Sequence, residues 1–424
     1  MQQVAKIFFV LFFAKNIYAD SLAYAYNSAL EFDYLVKNQE YKVKIQEEKY
    51  KDSLGDLLFN LKLNSQYVIN NFTYNDKDYN AGYKRLYLSF SLPIFKLSNY
   101  TNIKEQNYNL EIEKLENINT KQELALRVAN AYFDLVFANI SLKLAKSYNN
   151  THSLKLEQVK ANKNSSELEL FQAKISLDKS NLEVNKAKKN LKSAILNIKN
   201  ITGKEIKVSE LKFINTTYFE KLDLQKYKEY KNNFSYKKEL LQEKIADNNI
   251  LEKKGEFLPE LSLNSYLSNI YYNDKNYSKN KKNDFSLYFN FSIPIFTKSN
   301  LGHKLEKERL NKLLKANKLN QIKDEITILQ TNTIDDFESL LEEVKINFLA
   351  LENAKIYEEL VQKSYTKKEQ ELIDVLNAQA NLYKNKLEAL KSVHSLIISY
   401  LKLESLIGEL DKDKLIKLDK LMMF

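Results

Sequence analysis

The sequence GDLLFNLKLNS at residues 55–65 is echoed 200 positions later by GEFLPELSLNS at residues 255–265. A second pair, SLPIF at 91–95 and SIPIF at 292–296, follows at an offset of 201. These matches are informative because the chain of 424 residues has only 6 glycines and 3 prolines. The echo predicts an internally duplicated chain in which one structural unit is used twice.

Apolar and polar residues alternate through both echoed regions, which predicts β-strands with one apolar and one polar face. In the first copy the apolar residues are Leu57, Phe59, Leu61, Leu63, Tyr67 and Ile69, followed by Leu86, Leu88, Phe90, Leu92 and Ile94. In the second copy they are Phe257, Leu261, Leu263 and Leu267, followed by Phe285, Leu287, Phe289, Phe291, Ile293 and Ile295. The predicted hairpins cover 56–95 and 256–296, and each strand has the ~10 residues that a tilted strand needs to cross a bilayer.

Four strands are too few to close a membrane barrel, because open sheet edges in lipid would leave backbone groups without hydrogen bonds. Two interpretations follow. Either the hairpins are soluble and pack on a helical body, or several chains pool their strands. Three chains would supply a twelve-stranded barrel, which lies in the even-numbered range of such barrels.

Long helices are predicted over 99–202 and 301–407, where proline is absent and glycine almost absent. Gly203 and Gly408, a further matched pair, follow these segments. Polar breaks at 161–166 and 364–370 predict that each segment is a helical hairpin with its tip there. An arm from 99 to 160 would be about 90 Å long as a helix, too long for a compact globule.

Small and apolar residues recur at heptad spacing along the second helix of each hairpin, which is typical of coiled-coil packing. The first row is Ala173, Leu177, Ser180, Val184, Ala187, Leu191, Ala194 and Ile198. The second row is Ala378, Leu382, Asn385, Ala389, Ser392, Leu396, Ser399 and Leu403. A closed ring of helices and an ordinary bundle both fit this periodicity.

The N-terminus predicts export. Residues 1–19 have Lys6, a short apolar run and a small residue, Ala19, before Asp20, as in a secretory signal peptide. The chain has no cysteine, so it offers neither a disulfide nor the thiol that anchors a lipoprotein. The formal net charge of +10 is spread along helices, and export argues against nucleic acid as a partner.

No enzymatic chemistry is expected. His152, His303 and His394 are far apart in the sequence and lack metal-ligand spacing. No nucleophile elbow, phosphate-binding loop or zinc motif is present. We therefore expect no catalytic residues, no metal site and no cofactor.

Several separated motifs together resemble the TolC family of outer-membrane efflux and secretion channels. They are SLAYAYNSAL at 21–30, FLPELSL at 257–263, ITG at 201–203, LIDVLNAQ at 372–379 and the paired LPIF and IPIF strand ends. The resemblance covers almost the whole chain after the predicted signal peptide.

The resemblance implies a mainly α fold with β: a duplicated protomer that gives four strands to a trimeric twelve-stranded barrel and long helices to a periplasmic helical barrel. The first repeat would be 20–227, with a helix, the hairpin 56–95, the helical hairpin 99–202 and an equatorial segment at 204–227. The second would be 228–424, with a helix, the hairpin 256–296, the helical hairpin 301–407 and an equatorial C-terminal tail.

The same resemblance implies a passive exit duct of a tripartite efflux pump or a type I secretion system. It would sit in the bacterial outer membrane, contact lipid, extend into the periplasm and have a gated periplasmic tip. Its partners would be two further copies of the chain, a periplasmic adaptor protein and an inner-membrane transporter. The alternative is a structural or adhesive coiled-coil protein of the envelope without a pore.

Functional residues are implied only where the family motifs match. The pore constriction would contain Asp374, Asn377 and Glu371; alternatively, Asp374 is simply a first-turn residue that the helix dipole favours. The closed tip would be held by Tyr365, Glu169 and Gln370. The adaptor would contact hairpin-tip residues Lys163, Asn164, Ser165, Lys367 and Lys368. Asn377 replaces a second aspartate, Gln370 stands where relatives have arginine, and Lys163 and Lys368 stand where glycine is usual.

Overall fold

A computed structural model of the chain describes residues 20–163, 165–208, 217–272, 281–295 and 301–422. The predicted signal peptide at 1–19 lies outside the described residues. The fold is predominantly helical with a four-stranded sheet, so the predicted fold class, mainly α with β, is confirmed. The helices are α1 Leu22–Phe32, α2 Tyr34–Gly55, α3 Leu97–Ala161, α4 Glu167–Thr202, α5 Thr217–Glu220, α6 Phe234–Gly255, α7 Leu301–Thr366, α8 Leu372–Leu406 and α9 Lys412–Met422. The strands are β1 Asn60–Tyr74, β2 Lys77–Phe95, β3 Glu260–Tyr272 and β4 Lys281–Ser292.

The sheet is antiparallel throughout, with strand order β1-β2-β3-β4. A two-residue turn at Asn75 and Asp76 joins β1 to β2, and both residues have positive φ (51° and 55°), as tight hairpin turns require. Directly paired residues share a face of a sheet. The register pairs Leu63 with Leu88 and Leu88 with Leu267, so the apolar residues of successive strands lie on one face, as predicted.

The strands begin later than the predicted hairpins. β1 starts at Asn60 rather than at 56, and β3 starts at Glu260 rather than at 256. The reason is the end of the preceding helix: the Leu58 N–H donates to the Gly55 carbonyl, and the Leu258 N–H donates to the Gly255 carbonyl, both at 2.9 Å. The backbone at these positions therefore continues the last helical turn.

The heptad rows predicted for α4 and α8 are largely buried. In α4 the buried members are Ala173, Ser180, Ala187, Ala194 and Ile198. In α8 they are Ala378, Ala389, Ser392, Leu396, Ser399 and Leu403. No helix of the described residues carries an apolar stretch long enough to cross a membrane.

Gly203 and Gly408 have the same role at the ends of α4 and α8. Both have left-handed backbone conformations, with φ of 70° and 74°. The N–H of Gly203 donates to the Lys199 carbonyl at 2.8 Å, and that of Gly408 donates to the Ser405 carbonyl at 3.1 Å. Glycine ends a helix this way at little steric cost, which explains the matched pair in the sequence.

The chain divides into two compact units, Met1–Tyr34 with Lys121–Lys228 and Leu329–Phe424, and Leu35–Thr120 with Glu229–Ile328. Each unit draws on both halves of the sequence. The second unit contains the sheet and an apolar cluster of Ile112, Leu241 and Ile245. The predicted repeats, 20–227 and 228–424, divide the sequence in a different way from these units. Their boundaries stay a prediction.

A buried carboxylate organises the C-terminal part of the first unit. Glu404 is 1% exposed, and its oxygens accept from the Tyr227 hydroxyl at 2.7 Å and from the Lys414 ammonium at 2.8 Å. Burial opposes its ionisation, but these hydrogen bonds and the charges of Lys414 and Lys226 together hold its pKa below the ordinary value. The network ties the segments after α5 and after α8 to α8 itself.

We predict that Gly203→Ala lowers the thermal unfolding midpoint of the detergent-solubilised protein. The left-handed conformation alone costs an alanine about 1–2 kcal/mol. A Cβ at this position would also lie 2.7 Å from the Phe32 ring. Gly302→Ala is the matched control, because it adds the same methyl group inside α7 with nothing within 4 Å. An unchanged midpoint for Gly203→Ala would contradict the steric argument.

Candidate functional site at the helical hairpin tips

The tip of the first helical hairpin is organised by a capping box. Ser166 precedes α4, and its hydroxyl accepts from the Glu169 N–H at 3.2 Å. The Glu169 carboxylate in turn accepts from the Ser166 N–H at 2.8 Å. These bonds satisfy two backbone donors that the first helical turn would leave unpaired. Glu169 is thereby held at the start of α4, with its negative charge near the tip.

The tip of the second hairpin begins with a Schellman motif at the end of α7. The N–H of Glu369 donates to the Ser364 carbonyl, and that of Lys368 donates to the Tyr365 carbonyl, both at 3.0 Å. Lys368 has φ of 65°, the left-handed conformation that glycine adopts most readily. Lys368 therefore occupies a backbone position that favours glycine. This gives a physical consequence to the lysine found there in place of the usual glycine.

Tyr365 joins the two hairpin tips. Its ring packs against a cluster that combines residues of α3, α4 and α8, namely Leu156, Val159, Ala173, Leu372 and Leu376. It also packs against a second cluster from α7 and α8, formed by Val361, Val375 and Ala378. A single side chain of α7 thus contacts apolar residues that come from both hairpins.

A buried lysine lies beneath this tyrosine. The Lys155 ammonium is 4.2 Å from the centroid of the Tyr365 ring, a cation–π distance, and Lys155 is only 7% exposed. Burial lowers the pKa of Lys155, and the Glu169 carboxylate partly opposes that change. Burial raises the pKa of Tyr365, and the Glu169 charge adds to the increase. The charge of Glu169 therefore acts on both Lys155 and Tyr365.

The predicted constriction residues lie at the start of α8, with Glu371 as its N-cap, Asp374 in the first turn and Asn377 in the second. Glu371, Asp374 and Asn377 follow one another at three-residue intervals, so they lie along one side of the helix. Glu371 and Asn377 are exposed and Asp374 is half-buried. The Asp374 carboxylate accepts from the Glu371 N–H at 3.2 Å, so this aspartate also caps its own helix. Its role in a pore stays a prediction.

A cleft of about 640 Å³ lies between the two tips. It brings together the predicted closed-state residues Tyr365, Glu169 and Gln370, with Glu371 and Lys368 also on its walls. Lys163 and Lys367 are exposed, and Ser165 is half-buried, its N–H donating to the Asn162 carbonyl at 3.0 Å. Asn164 lies outside the described residues. The geometry therefore gathers the predicted tip contacts, while their role in binding an adaptor stays a prediction.

Sequence reasoning missed Lys155. The available signal was a row with 4,3,4 spacing, formed by Tyr148, His152, Lys155 and Val159. The last three of these side chains are buried and Tyr148 is half-buried. His152 in this row is 1% exposed and packs edge-on against the Tyr148 ring at 4.4 Å. Burial lowers the pKa of His152 to about 4, so it is neutral at ordinary pH. Histidine and lysine in a heptad row were the sign that polar side chains are buried here.

No group of three or more potential metal ligands from histidine, cysteine, aspartate and glutamate occurs within the described ranges. The tip contains carboxylates, an amide, a phenol and ammonium groups. Within one chain these groups can attract or repel ions and hold the hairpins together.

We predict that Lys368→Gly stabilises the tip by about 1 kcal/mol, because glycine relieves the left-handed strain while leaving the Schellman hydrogen bonds in place. Slower amide hydrogen exchange at 364–372 would measure the effect. Lys367→Gly is the matched control: it removes the same charge at the neighbouring position, where φ is not positive, and should not slow exchange. Equal exchange in the Lys368→Gly variant and the unmodified protein would contradict the prediction.

A scan against protein-family models and a search of curated proteins both find no match for this chain. Solved structures do match. The chain is similar to CusC, whose crystal structures concern folding and transmembrane channel formation, with 16% identity, coverage of 92% of each chain and a TM-score of 0.80. It is also similar to the outer-membrane protein VceC of Vibrio cholerae, with 14% identity, coverage of 91% of this chain and 96% of that one, and a TM-score of 0.75.

The outer-membrane channel CmeC of Campylobacter jejuni is a third such structure, with 16% identity, coverage of 95% of this chain and 89% of that one, and a TM-score of 0.73. The matched residues cover nearly the whole of each protein, so the likeness concerns the complete fold and not one motif. The resemblance predicted from the sequence is confirmed at the level of the fold. The chain has the fold of solved outer-membrane channel proteins.

Proposed function

We propose that this chain is one protomer of an outer-membrane exit duct that passively conducts substrates in an efflux pump. The observation that carries the proposal is a four-stranded sheet with an exposed apolar face and two outer strands, β1 and β4, each paired along one edge in the described residues. Such a sheet needs both a lipid-like environment and further strands.

The apolar face is unusually exposed for a folded chain. Leu63, Phe289 and Phe285 expose 70%, 69% and 67% of their surface. Contiguous exposed apolar area of this kind marks a surface that lipid or another protein covers. The opposite face carries Asn64, Ser89 and other polar side chains, and the Asn64 amide donates to the Ser89 hydroxyl at 3.1 Å. Apolar outside and polar inside is the arrangement of a membrane barrel.

Further copies of the chain would satisfy the outer strands. Three protomers would close twelve strands into a barrel without a free edge. The long helices also carry exposed apolar side chains that further copies would cover. In α7 these include Leu310, Leu313, Leu314, Ile328, Ile346, Leu349, Ile356 and Leu360.

The tips would form the gate. In the closed state Tyr365 would hold the hairpins together, with Glu169, Gln370 and the buried Lys155 around it. Asp374 and Glu371 of three protomers would place carboxylates around the axis and favour cations, with Asn377 beside them. Adaptor docking at Lys163, Ser165, Lys367 and Lys368 would separate the tips, and an inner-membrane transporter would supply the energy. A role in type I secretion belongs to the same proposal, and none of these steps is catalytic.

Recording from the purified, detergent-solubilised protein in planar lipid bilayers tests the proposal. A duct gives discrete conductance steps, and its trimer is expected to run as a heat-labile species on a detergent gel. A structural or adhesive coiled-coil protein, the alternative function, has no lumen. Absence of conductance steps from a preparation that contains the trimer would favour that alternative.

We predict that Asp374→Asn weakens cation selectivity and reduces Mg²⁺ block several-fold without preventing trimer formation. The substitution removes the charge but keeps an oxygen that accepts the Glu371 N–H, so the helix cap is retained. Reversal potentials and block of single channels measure the change. Asp223→Ala, which removes a carboxylate from the segment after α5, is the charge control. Unaltered Mg²⁺ block in Asp374→Asn would remove this residue from the constriction.

A further inference from the structure

We propose that Arg85, held against Tyr87 and Tyr266 on the polar face of the sheet, is a binding point for oxyanion groups of molecules passing through the duct. This inference rests on the proposed function, since the polar face becomes a lumen wall only when further chains close the barrel. It adds a specificity-determining position at the sheet, separate from the carboxylates of the tips.

The register places the cluster on one face. Arg85 and Tyr87 are two positions apart on β2, so their side chains point to the same side. Tyr87 pairs with Ser268 of β3, and Ser268 pairs with Asp284 of β4. Tyr266 is two positions before Ser268 and therefore shares this face. The Leu88 and Phe285 side chains, at odd steps from these residues, belong to the opposite, apolar face.

The guanidinium group is held by aromatic rings. Its central carbon lies 4.7 Å from the centroid of the Tyr87 ring and 5.2 Å from that of Tyr266. The Tyr266 hydroxyl lies 3.4 Å from the Asp284 carboxylate, which helps to fix that ring. Contacts with ring faces restrain a guanidinium while leaving in-plane N–H donors for a ligand.

A buried hydroxyl lies in the same cluster. Ser268 is 2% exposed. It lies on the polar face of the sheet, where a small side chain is buried only if larger neighbouring side chains cover it. Its hydroxyl is buried without a hydrogen-bond partner among the described residues. A hydroxyl of this kind is an unpaired donor within the cluster that holds Arg85.

The charge of Arg85 is not neutralised by an ion pair. Among the ion pairs of the described residues none involves Arg85, and the Asp284 carboxylate instead contacts the Tyr266 hydroxyl. Of the other charged side chains that the register puts on this face, Glu260 pairs with Lys96 at 3.4 Å, whereas Lys62 and Lys282 add positive charge. With Asp284 set against Arg85, Lys62 and Lys282, the described charges of this face remain net positive, so this wall of the duct favours anions.

The donor geometry indicates the class of ligand. A guanidinium presents paired N–H donors that match the oxygens of carboxylate and phosphate groups. Rings of arginine are also a known basis of anion preference in pores, and three protomers would supply such a ring. The sheet and the tips would then have opposite preferences, with arginine in the barrel wall and aspartate at the gate.

Single-channel recording of Arg85→Gln tests the inference. Under a KCl gradient the ratio of K⁺ to Cl⁻ permeability should rise roughly two-fold, because three positive charges leave the lumen wall. Block by added citrate, an oxyanion probe, should weaken several-fold. Arg85→Lys keeps the charge but loses the planar donor pair, so it should retain the permeability ratio and lose part of the citrate block.

Lys84→Gln is the matched control, because it removes the same charge from the adjacent residue on the opposite face, where Lys84 lies over the Tyr67 ring. Its permeability ratio should equal that of the unmodified channel. Equal shifts in Arg85→Gln and Lys84→Gln, or no shift in either, would overturn the inference. If Arg85→Gln does not assemble, undiminished citrate block in Arg85→Lys would also overturn it. Loss of the proposed function would look different, since the unmodified protein would then give no conductance steps at all.

Discussion

The main constraint on this protein is the backbone hydrogen bonding of the two outer strands of its four-stranded sheet. Four strands pair in the order β1-β2-β3-β4, and the sheet has one apolar and one polar face. An apolar face with side chains such as Leu63 and Phe289 mostly exposed is stable in lipid only if the backbone at the outer strands is also paired. In the proposed duct, further copies of the chain would satisfy that requirement, and they would also cover the exposed apolar residues of α7.

At the tips, helix-end chemistry and the proposed gate use the same residues. Glu169 caps α4 and also affects the pKa values of Tyr365 and Lys155, while Asp374 caps α8 and is the candidate pore carboxylate. Separation of the tips would therefore not require the caps themselves to break. It would require the apolar contacts of Tyr365 with α3, α4 and α8 to be replaced, and each such contact is modest in energy. The proposed gate would therefore need only the replacement of these contacts to open.

The two halves of the chain share a frame but have diverged in their polar chemistry. The helix ends at Gly55 and Gly255 have the same hydrogen bond, and Gly203 and Gly408 end α4 and α8 in the same conformation. Glu404, by contrast, is buried in a network with Tyr227 and Lys414, and Arg85 lies in the first hairpin only. The matched features are those that the backbone conformation requires, whereas these polar side chains differ between the two halves.

The sequence by itself determined the strands and their faces, the long helices, the tip positions and the helix-ending glycines. These follow from local periodicity and from backbone conformations that few residues adopt, so short segments contain the information. It placed the strand starts slightly too early, because the last helical turn at Gly55 and Gly255 takes up residues that also fit the alternating pattern. Only the tertiary structure revealed that Lys155 lies under Tyr365, that Asp374 caps its own helix and that Arg85 lies against two tyrosine rings. Those arrangements depend on which side chains distant segments bring together, and the energy of a buried charge depends on that environment rather than on the residue type.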